Sequence, residues 1–152
     1  MSRLPEGSVT FLFTDVEGST RLQQEPGGSY REAIAEHERV LLDAASASGG
    51  VVVDRQTESF FIAFARAIDA VAAAAYAQRR LTGAVRVRMG LHTGEPSVVG
   101  DRYLGLDVSR AARICAAAPR LSGAAVGVDP RTRRGGGSAP RYRAPSSHRV
   151  LP

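Results

Sequence analysis

Apolar and β-branched residues gather in three short runs, Val9-Thr10-Phe11-Leu12-Phe13, Val51-Val52-Val53 and Phe60-Phe61-Ile62-Ala63-Phe64. Runs of this length and composition predict strands. The polar stretch Thr14–Thr20 is expected to form a turn at Gly18 leading into a short helix, and Pro26-Gly27-Gly28 breaks the chain. Ser29 followed by Glu32 has the spacing of a capping box. It predicts a helix to about Ser48, with Ile34, Leu41 and Ala45 on one face and Gly49-Gly50 as its stop. Residues 55–58 are few enough to join the second and third strands as a hairpin. The alanine-rich stretch from Arg66 to Leu81 predicts a helix with Ile68, Val71 and Ala75 as its buried stripe. Val85-Arg86-Val87-Arg88-Met89 alternates apolar with charged and predicts a half-exposed strand. A loop over Gly100–Tyr103, a helix over Leu106–Ala117 with Val108, Ala112 and Cys115 inward, and a short strand near Ala124–Val128 complete the pattern.

The predicted order, β-α-α-β-β-α-β-α and then a short strand, fits an α+β fold with helices on one side of a largely antiparallel sheet. The chain of 152 residues is one domain's worth. The single Cys115 excludes an internal disulfide framework. No apolar run is long enough to span a bilayer, and the first residues lack the apolar run of a signal peptide, so the expected location is the cytoplasm, away from membranes. The pattern decays after Pro119. Residues 129–152, rich in Gly, Pro, Ser and Arg, are expected to form a disordered basic tail, which leaves 7–128 as the folded domain.

The net charge of +5 is unevenly spread: residues 1–64 carry −5, residues 65–118 carry +4 and residues 119–152 carry +6. The basic excess belongs mostly to the tail. The acidity of the first segment and the lack of interleaved aromatics argue against a nucleic-acid groove, and Arg131-Thr132-Arg133-Arg134 reads as a solvated basic run. Glu32, Glu36 and Glu38 read as a wet helix face, and His37 as a solvated residue on that helix. His92 reads as a structural residue near a turn, and Cys115 as a small buried hydrophobe. His37, His92 and His148 do not have metal-ligand spacing.

The segment with the clearest chemistry is Phe11-Leu12-Phe13-Thr14-Asp15-Val16-Glu17-Gly18-Ser19-Thr20. It puts a carboxylate at the end of a strand, just before a Gly/Ser turn whose backbone N–H groups favour phosphate. Asp15 beside such a turn suits a divalent metal held jointly by carboxylate and phosphate oxygens. The same residues, Asp15 and Ser19, serve equally well as simple helix caps.

This segment resembles the opening signature of the class III nucleotidyl cyclases, the adenylate/guanylate cyclase homology domain. Three further segments resemble that family in order and spacing: Gly49-Gly50-Val51-Val52 with Ser59–Phe64, Arg88-Met89-Gly90-Leu91-His92-Thr93-Gly94-Glu95, and Tyr103–Ile114. The resemblance covers about residues 7–118. It implies a ferredoxin-like βαββαβ core with additions, and an active site shared between two subunits. It also implies two Mg²⁺ or Mn²⁺ ions on the triphosphate of ATP or GTP, with the 3′-hydroxyl attacking the α-phosphate and pyrophosphate leaving. Such phosphoryl transfer rests on positive groups that neutralise developing charge.

Carried over by position, the resemblance makes Asp15 the first metal aspartate, Val16 the residue whose carbonyl helps bind metal, and Arg113 the arginine that stabilises the transition state. Other positions depart from the pattern. Glu58 stands where the second metal aspartate is expected and Thr57 where a glycine precedes it. The extra methylene of Glu58 strains tight octahedral coordination of Mg²⁺, and Mn²⁺ is expected to tolerate it better. Asp54 replaces a lysine that reads the purine, and Arg102 replaces its aspartate or threonine partner, with Asp101 adjacent. The two charge signs are thus exchanged, which preserves a possible ion pair across a dimer without preserving adenine recognition. Ser109 replaces the asparagine that orients the ribose. Beyond Asp129 the chain no longer resembles the family, so its last strands are not expected.

Two readings follow. One is a weak metal-dependent cyclase acting as a homodimer. The other is a catalytically silent cyclase-like domain that binds nucleotide or a partner cyclase subunit in signalling regulation.

Overall fold

The computed structural model describes residues 3–24, 28–81, 86–118 and 125–128. Its elements are β1 (Val9–Glu17), α1 (Ser19–Gln23), α2 (Ser29–Ala47), β2 (Val51–Arg55), β3 (Ser59–Phe64), α3 (Ala67–Arg80), β4 (Arg86–Gly94), β5 (Ser97–Val99), β6 (Arg102–Leu104), α4 (Leu106–Ala117) and β7 (Ala125–Val128). The main sheet has the order β2-β3-β1-β4-β7, with β5-β6 as a separate hairpin. β1 pairs antiparallel with both β3 and β4, β2 pairs antiparallel with β3, and β7 is parallel to β4. The β2-β3-β1-β4 unit with its two crossover helices α2 and α3 is the ferredoxin-like α+β arrangement expected from the sequence. β7 lies where the short C-terminal strand was expected. The proposed tail, 129–152, lies outside the described residues.

The sheet is covered on both faces. Leu12, Val16, Phe60, Ile62, Val87, Met89 and Leu91 pack against α2 and α3 in one core. Val9, Phe11, Ala63 and Tyr103 form a second, smaller core with Ala111 of α4. Its aromatic centre stacks Phe13 on Phe61 at 4.3 Å between centroids and sets Phe11 edge-on to Tyr103 at 5.0 Å. Burial on both faces explains why the first half of β1 reads as a nearly continuous apolar run rather than a clean alternation.

Several local expectations are corrected. β1 does not stop at Phe13 but continues through Glu17, because Thr14, Asp15 and Val16 each pair with both β3 and β4 or extend that ladder. α2 starts at Ser29 with Gly28 at the cap and no side-chain cap bond, so the Ser29–Glu32 capping box does not form. Its buried face is Ala33, His37, Val40, Leu41, Ala44 and Ala45, with Ile34 only partly buried. His37 is thus in the core rather than in solvent. α3 buries Ala70, Ala73, Ala74 and Ala77, leaving Ile68 exposed. Small residues turn inward there because α2 lies close. β4 extends to Gly94 and is buried over Met89–His92. Residues 97–104, read as carrying a loop, form the β5–β6 hairpin turning at Gly100, whose φ is +64°. The inward face of α4 is Ala111 and Cys115, with Val108 partly buried.

Candidate functional site

The candidate site lies near the C-terminal end of β1, where Asp15 is on the sheet face that α4 covers. Residues directly opposite on antiparallel strands point to the same face. Asp15 pairs in register with Arg88 on β4 and with Ser59 on β3. On β4 the same face carries Gly90, His92 and Gly94, and here α4 packs. A Cβ at Gly90 would fall on the Cys115 backbone, and one at Gly94 on the Asp107 carboxyl. These glycines let the helix that carries Ser109 and Arg113 lie directly against β4.

Arg88 is the hub. Its Nη2 donates to Asp15 Oδ2 at 2.5 Å, its Nε lies 3.4 Å from Glu17 Oε1, and its Nη1 donates to the Ala116 carbonyl at 3.3 Å. The Arg88 side chain is 22% exposed, against 40% for Asp15. The Asp15 hydrogen bond is the main cause that holds the Arg88 guanidinium in its charged form more firmly than usual.

Glu58 lies on the opposite side of β1, in the turn between β2 and β3. Its backbone carbonyl accepts the Val16 N–H at 2.9 Å. Its carboxylate accepts a hydrogen bond from Tyr30 Oη at 2.6 Å and a longer one from Gln23 Nε2 at 3.4 Å. The Glu58 hydrogen bond is the largest cause raising the Tyr30 pKa above the ordinary tyrosine value.

α4 presents Ser109 and Arg113 on its exposed side, four residues apart. Arg110, Arg113, Ile114 and Ala117 line a shallow open hollow of about 330 Å³. Arg110 is held by Asp107 at 3.3 Å, whereas Arg113 makes no ion pair among the described residues. Asp54 sits at the exposed end of β2, after a bulge between Val52 and Asp54. Asp101 and Arg102 lie at the tip of the β5–β6 hairpin. No ion pair joins Asp54 to Arg102 within the described residues of one chain. Val99 beside that tip, Leu104 at the base of the hairpin and Leu106 at the start of α4 are exposed apolar residues.

The resemblance implies divalent ions held by Asp15, Val16 and Glu58. Asp15 and Glu58 reach the same end of β1, but each has a carboxylate oxygen taken by a donor of the chain itself. Among the described residues no three His, Cys, Asp or Glu side chains are grouped to hold a metal ion. As arranged, a divalent ion at Asp15, Val16 and Glu58 would share Asp15 with Arg88 and Glu58 with Tyr30 and Gln23.

Sequence reasoning gave no role to Tyr30 or Gln23, and it placed Arg88 in the fourth-strand motif without assigning it a partner. Its place opposite Asp15 is a matter of strand register, which no local signal carries.

No protein-family profile matches the chain. An uncharacterised protein of Mycobacterium tuberculosis is 41% identical over 117 residues, covering 75% of this chain and 41% of that one, and an uncharacterised protein of Mycobacterium bovis matches equally. The chain thus spans about two-fifths of the length of these relatives. An adenylate cyclase of Neurospora crassa is 27% identical over 146 residues, covering 75% of this chain and 6% of that protein. Among solved structures, an adenylate cyclase from Trypanosoma brucei in its monomeric state superposes with a TM-score of 0.71 at 21% identity, covering 87% of this chain and 80% of that one. A guanylate cyclase domain from Catenaria anguillulae, in complex with GTP, gives 0.67 at 18% identity, covering 84% and 81%. An adenylyl cyclase from P. aeruginosa gives 0.63 at 18% identity, covering 83% and 78%.

Proposed function

We propose that this chain, a divergent member of the class III nucleotidyl cyclase fold family, is a nucleotide- or partner-binding cyclase-like domain with little or no turnover, acting in signalling regulation. The observation that carries this reading is the state of its two carboxylates. Arg88 takes one oxygen of Asp15 and Tyr30 one oxygen of Glu58, so a cation would have to share each carboxylate with a donor of the chain itself. The substitutions at Thr57, Glu58 and Ser109 support it further. A glutamate in place of an aspartate moves the charge by about 1 Å or more, and misplacement on that scale can cost about a hundredfold in rate.

What binding chemistry remains is cationic. Arg113, exposed and without an ion pair among the described residues, lines an open hollow with Arg110. Guanidinium groups suit phosphate oxygens. A nucleoside triphosphate, ATP or GTP, is therefore the proposed ligand, with Asp54, Asp101 and Arg102 as the residues that face the base or the partner. The exposed Val99, Leu104 and Leu106 support association with a second copy or with another cyclase subunit. The folded unit that does this is residues 7–128.

A second reading, a weak homodimeric cyclase, is favoured by one observation: Asp15 and Arg113 both keep the residue types that the resemblance calls for. One experiment separates the two. Purified protein is given ATP or GTP, each with Mg²⁺ or Mn²⁺, over a range of protein concentrations, and both nucleotide binding and cyclic product are measured. Saturable binding that weakens in Arg113→Ala, without cyclic product, is the expected result. Product that rises more than linearly with protein and disappears in Arg113→Ala would overturn the silent reading in favour of the homodimeric enzyme.

No helix among the described residues is long and apolar enough to cross a membrane.

A further inference from the structure

The β5–β6 hairpin is a two-stranded ladder apart from the main sheet, held together over three register pairs. A lone ladder of this size is marginal in water and takes its position from what it packs against. We propose that residues 3–6 are a strap that fixes this hairpin through the Tyr103 hydroxyl, so that displacing the strap frees the arm that carries Asp101 and Arg102.

The alternation within the hairpin sets up the contact. Val98 and Tyr103 are register partners and share its inner face, while Val99, Arg102 and Leu104 are exposed on its outer face. The Tyr103 ring is buried and lies edge-on to Phe11 at 5.0 Å. Val98 packs on the same apolar cluster, and so does Leu4 from the strap. The Tyr103 hydroxyl donates to the Pro5 carbonyl at 2.7 Å, across 98 positions of sequence. Burial, with the Glu6 carboxylate adding to it, pushes the Tyr103 pKa up to about 12, so the hydroxyl stays a donor at any ordinary pH.

Both pieces are joined to the rest of the fold at glycines. Gly7, φ +75°, separates the strap from β1, and Gly105, φ +131°, separates the hairpin from α4. Backbone at these positions changes direction without strain, so strap and arm detach while the main sheet and α4 keep their places. The consequence deepens the association reading above and rests on it. An arm already held in place loses less conformational freedom when it meets a second copy, so a docked strap favours association and a displaced strap weakens it.

The test is amide hydrogen exchange of the full chain, with sedimentation equilibrium on the same samples, in wild type, Tyr103→Phe, Leu4→Ser and the double variant. Tyr103→Phe keeps the ring and removes only the hydroxyl. It is expected to quicken exchange across residues 97–104 by about fivefold, the size of one ordinary hydrogen bond, with Leu12 and Ile62 of the main sheet unchanged. Leu4→Ser is expected to quicken the same amides. The double variant is expected to add little, since both substitutions act through one docked strap. Dimerisation is expected to weaken in step with the exchange. Unchanged exchange across 97–104 in Tyr103→Phe would overturn the proposal. So would an equal rise at Leu12 and Ile62, which would mean a general loss of stability rather than a freed arm. Leu4→Ser gives the same comparison without touching the hairpin. Arg102→Asp separates this device from the reading beneath it. If Arg102→Asp leaves dimerisation unchanged while Tyr103→Phe frees the hairpin, the association reading fails and the strap stands. If Arg102→Asp weakens dimerisation while both strap variants behave as wild type, the strap fails and the association reading stands.

Discussion

His92 on β4 and Asp107 in the first turn of α4 are joined by a 2.8 Å contact between Nε2 and Oδ1, with His92 fully buried. The same carboxylate accepts the Glu95 N–H at 3.2 Å and lies 3.3 Å from Arg110. Asp107 therefore fastens the start of α4 to the end of β4, as Arg88 fastens its finish. The His92 hydrogen bond is the largest cause holding the Asp107 carboxyl below its usual pKa. Asp107→Ala leaves a buried imidazole without this acceptor, and a loss of about 1–3 kcal/mol is expected. It should appear in urea unfolding as a lower midpoint at unchanged slope. A depressed folded-state pKa means stability that is present above the unfolded carboxylate value and lost as pH falls through the folded value. Asp107→Asn should accordingly flatten the acid side of the stability profile.

Gly90 and Gly94 set how closely α4 approaches the sheet. Gly90→Ala places a methyl on the Cys115 backbone and Gly94→Ala places one on the Asp107 carboxyl. Neither obstacle is the loose end of a flexible chain. Each substitution is expected to cost about 1–3 kcal/mol by overpacking and to lift α4 away. The two differ in a readable way. Gly94→Ala disturbs the His92–Asp107 contact, so its cost should shrink in an Asp107→Ala background. Gly90→Ala should keep most of its cost there. A full thermodynamic cycle for each pair checks this.

His37 lies in the core between α2 and the sheet, fully buried, edge-on to Phe60, with neither ring nitrogen hydrogen-bonded among the described residues. Burial lowers its pKa to about 4, against the partial opposing pull of Asp15, Glu38 and Glu58. Above pH 6.5 the ring is neutral in both states and costs nothing in proton uptake. Between pH 6.5 and about 4 the unfolded chain takes up a proton that the folded chain refuses, so stability falls as pH falls, by about 3 kcal/mol in all. His37→Leu removes both the titration and the unpaired ring. It should be at least as stable at pH 7 and lack that part of the decline. Parallel pH profiles for the two proteins, from urea unfolding every half pH unit, would show the decline to arise elsewhere.

Much of this architecture was legible because it is local. The Phe60–Phe64 run, the alanine-rich α3 and the Gly49-Gly50 stop are written in neighbouring residues, and Gly49 does adopt the left-handed conformation, φ +66°, that ends α2. Helix faces were less legible. In α3 the large Ile68 was the natural choice for the core, yet alanines face inward because the packing distance between α2 and α3 selects small residues. His37 shows the same failure in a polar residue, since a period that suits a helix says nothing of how deep its neighbours bury it. The site divided along similar lines. Asp15, Arg88 and Arg113 stood out through their motifs, but the pairing of Arg88 with Asp15 comes only from the β1–β4 register and that of Tyr30 with Glu58 only from the packing of α2 beside the 56–58 turn.

Asp54 and Arg102 test the proposed association most directly. Each is exposed, one at the end of β2 and the other at the tip of the β5–β6 hairpin, and each carries the sign opposite to the one that the cyclase resemblance expects at its position. Within one chain they form no ion pair among the described residues. If they meet across two subunits, Asp54→Arg or Arg102→Asp alone juxtaposes like charges, which costs more than losing an exposed pair. Each single reversal is expected to weaken dimerisation by about tenfold, or about 1.4 kcal/mol, measured by sedimentation equilibrium. The double reversal restores opposite charges and should recover most of the wild-type affinity. The effect should fade as salt is raised from 0.05 to about 0.5 M, because screening shortens the reach of exposed charges. Additive losses in the double variant would place the two residues apart in the assembly and return Asp54 to a role facing the nucleotide base.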